Sequence, residues 1–120
     1  MLALASTIKR NGVLKMFETM KKVLAYMTAI YSDKIHVTKS NHEFENPFGV
    51  IDVTVKINVY VYDRQVFEVF KEKIINAIVN TIDYSISTEF AIETTPNAII
   101  LNYPNPENDQ EEHVFELHYI

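Results

Sequence analysis

Between Val50 and Asp63 apolar and polar residues alternate almost without a break. Ile51, Val53, Val55, Ile57, Val59 and Val61 share one parity, and Asp52, Thr54, Lys56, Asn58, Tyr60 and Tyr62 the other. A period of two marks a half-buried β-strand. At roughly 3.3 Å per residue this one spans about 40 Å, which predicts a strand that projects past its own core. The period then changes: Phe67, Phe70, Ile74, Ala77, Ile78 and Ile82 recur at helical spacing, with Val66, Val69, Ile75 and Val79 widening the stripe. This predicts an amphipathic helix over Arg64 to Asp83, capped by Asp63. An apolar arc this wide predicts contact with the sheet and with a second body, either another helix or another subunit.

Upstream, Asn11-Gly12 interrupts the pattern, and Asn11 is placed to cap a first helix running to about Ser32. Its stripe is Val13, Met16, Phe17, Met20, Val23, Leu24, Met27, Ile30 and Tyr31. Methionines fill irregular core gaps, and that reading is preferred here over an adaptable binding face. Residues 1–10 are read as a loose arm or an extra helical turn. After Ser32-Asp33, Ile35 and Val37 predict a short strand, and KSNHEFENPFG a polar loop or wide hairpin connection into the long strand.

The last third alternates again. Ile86, Thr88, Phe90 and Ile92 predict one strand, Thr95-Pro96-Asn97 a turn and AIILNY a second strand. PNPENDQEE predicts an exposed acidic loop. HVFELHYI closes the chain as a strand with Phe115, Leu117 and Tyr119 inward and Val114, Glu116 and His118 outward. The order α-β-β-α-β-β-β predicts a single α+β domain over residues 1–120, with two amphipathic helices packed on a mainly antiparallel sheet of about five strands.

Charge changes this picture more than composition does. The net charge is −5 over 120 residues, but residues 1–40 carry seven Lys/Arg against two acidic residues, and residues 41–120 carry four against fourteen. Segregated charge of this kind is commonly just a solvated surface. It also suits basic and acidic faces of neighbouring copies meeting head to tail. The acidic majority disfavours free or sequence-specific nucleic acid as a partner. With no cysteine, disulfides, thiolate zinc sites and cysteine nucleophiles are excluded. No apolar run approaches the ~20 residues of a membrane helix, and the opening MLALASTIKR makes a poor signal peptide.

Candidate chemistry is sparse. His36, His42, His113 and His118 show no helical i, i+4 pair, and the clusters His42/Glu43/Glu45 and Glu116/His118 each lack an evident further ligand. No nucleophile elbow or Gly-rich phosphate loop is present. Asp52 and Lys56 share a strand face, which favours an ion pair or hydrogen bond over a catalytic dyad. The expectation is a protein without enzymatic activity, metal or cofactor. Tyr60 and Tyr62, on the polar parity of the long strand, suit packing under a helix or a subunit interface, since each pairs an apolar body with a polar tip. The candidate interface residues are therefore Tyr60 and Tyr62, the basic Lys21 and Lys22, and the acidic Glu107, Asp109, Glu111 and Glu112.

The stretch Ile51 to Asp83, IDVTVKINVYVYDRQVFEVFKEKIINAIVNTID, together with the order of elements, resembles the tail terminator or tail-completion proteins of tailed bacteriophages. The resemblance implies a structural protein of the virion neck, located in the virion and in the host cytoplasm during assembly. It would form a homo-oligomeric ring that caps the tail tube and meets other virion proteins. It carries over no residue as a functional site. An alternative is a small acidic binding or inhibitory protein that presents the carboxylates around Glu107 to Glu116 to a basic partner. A small-metabolite enzyme would need a convergent polar pocket that the sequence does not display.

Overall fold

The computed structural model describes residues 18–81, 91–105 and 107–120. The proposed arm at 1–10, the Asn11 cap, the stripe residues Val13, Met16 and Phe17, the end of the second helix at Ile82 and Asp83, and the Ile86–Phe90 part of a strand lie outside them.

The described residues form two helices and five strands: α1, described over residues 18–30, β1 (Ile35–Glu45), β2 (Ile51–Val61), α2 (Arg64–Thr81), β3 (Ala91–Thr95), β4 (Ala98–Asn105) and β5 (Asn108–Tyr119). The element order matches the expected α-β-β-α-β-β-β. The sheet runs β1-β2-β5-β4-β3, antiparallel throughout except where β2 and β5 pair in parallel. The strand that follows α2 is thus not the neighbour of β2. β3 lies at the far edge, and the last strand of the chain fills the space between β2 and β4.

Parity decides which face is buried. Val55, Val59 and Val61 of β2, Phe115 and Leu117 of β5, and Ile99, Leu101 and Tyr103 of β4 are all buried, and the registers Val59↔Leu117 and Ile99↔Leu117 put them on one side. Met20 and Met27 of α1 and Phe67, Phe70 and Ile74 of α2 join them in one cluster, so the described methionines of the stripe are core. α2 begins where expected: Asp63 accepts a hydrogen bond from the backbone N–H of Val66 at 3.1 Å, satisfying one otherwise unpaired donor of the first turn. The wide arc of α2 is only partly used. The Lys73 ammonium lies 4.8 Å from the Tyr26 ring centroid on α1, while Val69, Ile75 and Val79 remain exposed.

Arg64, at the start of α2, ties the helix to the β3–β4 turn. It donates to Asn97 Oδ1 at 2.7 Å and to the Pro96 carbonyl at 3.0 Å, and its guanidinium lies near the rings of Phe67 and Tyr119. A planar cation with five donors can make all of these contacts at once.

Two segments expected to be loops are strands. KSNHEFE is not a loop but the continuation of β1, paired residue for residue with β2 from Ile35↔Val61 to Glu45↔Ile51. β1 is an edge strand exposed almost throughout, so its side chains carry no alternating pattern and only its backbone pairing makes it a strand. Likewise the acidic segment turns tightly near Glu107, and β5 already begins at Asn108. Asn105 and Asn108 hold that turn through side-chain oxygens that accept from the backbone N–H groups of Glu107 and Gln110.

Candidate functional site: an apolar hairpin tip, an open sheet face and a groove

Toward its tip the β1–β2 hairpin parts from β5, which continues beside it, paired with β4, as far as Asn108. β5 pairs with β2 only from Val53 onward, and the deepest core residue of β2 toward the tip is Val55. Beyond it the chain closes through Asn46, whose side-chain oxygen accepts from the N–H groups of Phe48 (2.9 Å) and Val50 (3.1 Å). Gly49 adopts φ +78°, a backbone state that a side chain would strain. This rigid turn displays apolar residues: Phe48 is 89% exposed, Phe44 59%, Ile51 55% and Val50 40%. Exposed apolar residues gathered at one hairpin tip are unusual on a monomer and mark contact surfaces.

The sheet face away from the helices is the second surface. There His36, Tyr60 and His118 stack across three strands, with ring centroids 6.4 and 5.7 Å apart. Beside them Glu116 is held by Lys56 Nζ at 2.9 Å and His118 Nε2 at 3.1 Å. The Lys56 hydrogen bond, opposed by partial burial and aided by His118, holds the Glu116 carboxyl below its ordinary pKa, and the same contact raises that of Lys56. Lys56 therefore pairs with Glu116 rather than with Asp52, which accepts from the Asn46 amide at 3.2 Å. The Glu116/His118 pair engages an ammonium, and among the described residues no group of three or more His, Asp or Glu side chains is arranged to hold a metal ion.

A groove of about 440 Å³ runs beneath α1 on the helix side of the sheet. Met20, Leu24, Val37, Ile57 and Phe115 give it an apolar floor and wall, and Lys21 and Lys39 stand at its exposed rim. At one end the Tyr103 and His113 rings stack with centroids 5.6 Å apart. Burial pushes the Tyr103 hydroxyl up to about 12. Burial also lowers the pKa of His113; Glu111, 3.6 Å from Nε2, opposes that shift, and Lys39 and Lys21 add to it.

A histidine held neutral by burial makes the fold acid-sensitive. Below an unfolded-state pKa of roughly 6.5 the unfolded chain takes up a proton that the folded chain refuses, so stability falls with pH until the lowered folded value is reached. Replacing His113→Phe keeps a ring against Tyr103 and removes that proton. The urea midpoint of the variant should fall less between pH 7.5 and pH 5 than that of the parent. The Glu116 contribution is lost at still lower pH, because its carboxyl titrates below the ordinary carboxylate range.

The eight interface candidates are not gathered into one surface. Tyr60 belongs to the open-face stack, whereas Tyr62 lies past the end of β2 and is exposed. Lys21 lines the groove beneath α1, and Lys22 a second depression between α1 and α2. Asp109, Glu111 and Glu112 do converge, together with Asp52, around a depression of about 300 Å³ where the hairpin leaves the sheet. Glu107 sits apart in the β4–β5 turn, and Glu111, bonded by the Asn105 amide and beside His113, is half-buried rather than a free loop carboxylate. Missed altogether were Phe44, Phe48 and Val50. Their signal was two phenylalanines in a polar segment flanking Asn46-Pro47, which is hard to read once the segment is taken for a loop.

No helix among the described residues is long and apolar enough to cross a membrane. Comparison with known proteins yields no match to a family model, to a curated protein or to a solved structure.

Proposed function

We propose that this chain is a structural, non-enzymatic and cofactor-free subunit that assembles with copies of itself into a ring, and that the ring belongs to the neck of a tailed bacteriophage. There it would cap the tail tube and meet other virion proteins. The observation that carries the assembly reading is the β1–β2 hairpin, with its hydrogen-bonded turn, its apolar tip and an edge strand, β1, whose outer side has no partner strand among the described residues. Such edges are ready templates for another chain and are usually blunted when a protein acts alone. The placement in a phage neck rests on the resemblance of Ile51 to Asp83 and on the element order.

The mass of the purified protein, followed by light scattering across protein concentration at low and high salt, tests this. A stable assembly of several 13.9 kDa chains is expected. A monomer under all conditions, including in the presence of purified tail tubes, would overturn the reading.

The acidic depression around Asp52, Asp109, Glu111 and Glu112 favours a second reading, a small protein that blocks a basic partner surface. Under it the chain stays monomeric, and its capture by a basic partner weakens steeply with salt.

A further inference from the structure

Building on the assembly proposed above, we infer that the aromatic tip of the β1–β2 hairpin of one copy seats in the groove beneath α1 of the next copy. Each side lacks what the other offers. The tip presents Phe48, almost wholly exposed, with Val50 and Ile51 beside it, and the groove is an open apolar trough walled by Met20, Leu24, Ile57 and Phe115. Burying one aromatic side chain removes 150–250 Å² from water, which suits Phe48 as the anchor of a contact.

Charge sets the orientation. Glu43 and Glu45 project from β1 just before the turn, both exposed, and Lys21 and Lys39 stand at the groove rim. A tip entering the groove brings these carboxylates toward the two ammonium groups. Two tips meeting each other, or two grooves, would bring like charges together. Complementary charge of this kind excludes the wrong pairing more than it adds affinity.

Reach makes the occupant a second copy. Lys39 lies six residues before the end of β1 at Glu45, roughly 20 Å at 3.3 Å per residue, and Phe48 lies beyond it in the turn. A rigid hairpin cannot fold back over that length into its own groove. Because tip and groove are different patches of one chain, the contact is heterologous, and repetition generates a ring if the rotation closes. The segregated charge of the sequence acquires a use here, since the basic rim includes α1 and the acidic tip belongs to the later part of the chain.

The absence of cysteine gives a clean test. Pro47→Cys places a thiol at the turn with Phe48 intact, and Ala25→Cys places one on the exposed lip of the groove. Treated with a short bifunctional thiol reagent, a mixture of the two single variants should give a covalent dimer, and neither variant alone should give more than a trace. In parallel, Phe48→Asp should reduce the assembled fraction at least tenfold at a fixed concentration while leaving the urea midpoint unchanged. Lys39→Glu should also weaken assembly, and more at low salt than at high.

Cross-linking of Pro47→Cys to itself would show a tip-to-tip contact and overturn the inference. An assembly of undiminished mass with no mixed cross-link would overturn it as well, leaving the ring reading intact. A chain that neither assembles nor cross-links at any concentration would remove both.

Discussion

Val55→Asp is expected to leave the chain unfolded or aggregated at room temperature. Val55 is 3% exposed at the point where β2 meets β5, with His113 as its register partner on one side and Asn41 on the other. Losing the buried valine costs about 1.5–3 kcal/mol, and a carboxylate in its place adds a desolvation cost of several kcal/mol. Together these rival the roughly 5–15 kcal/mol that holds a domain of this size together. The control is Ile51→Asp, four residues away on the same parity but 55% exposed near the hairpin tip, where a charge stays in water and stability should change by no more than about 0.5 kcal/mol. Far-UV circular dichroism with urea titration of both variants checks the pair. Equal effects would mean that the burial gradient along β2 is wrong.

That gradient marks the boundary of what the sequence reveals. Where a strand has one dry and one wet face, as in β2 and the second half of β5, its alternation predicts the inward residues Val55, Val59, Phe115 and Leu117 correctly. α2 was equally readable, because a helix packed on a sheet must keep its apolar residues on one stripe. β1 is legible only at its start, where Ile35 and Val37 predict a short strand; beyond them a strand at a sheet edge is wet on both faces, the polar run KSNHEFE resembles a loop, and only the backbone ladder to β2 defines it. The acidic stretch after Pro104 failed for the same reason, its first residues being exposed on both sides of β5. Strand order was beyond reach too. The parallel β2–β5 pair joins residues 58 positions apart, as Val53 and Glu111 are, and no local pattern records such a pairing. The candidate site suffers from this directly, because its apolar tip sits on the turn of a hairpin whose first strand is legible only at its start, Ile35 and Val37.

The same chemical change made at two phenylalanines separates the fold from the proposed assembly. Phe70 is fully buried on α2, its ring 6.1 Å from that of Phe115 and tilted 45° against it. Phe70→Ala removes the ring from the junction of helix and sheet, and cores of this density collapse only partly around the space left. The expected loss is about 3–5 kcal/mol, seen as a lower urea midpoint with an unchanged slope. At Phe48, 89% exposed, the same truncation removes almost no intramolecular contact, so the midpoint should hold within about 0.5 kcal/mol. If Phe48 anchors a contact between copies, it is the second variant, stable and well folded, that loses assembled mass on dilution. Under the same dilution the first variant loses assembly only in proportion to the fraction that unfolds. A stable Phe70→Ala chain would mean that α2 does not pack on the sheet as described, whereas a stable Phe48→Ala chain with undiminished assembly would leave the exposed ring without a role.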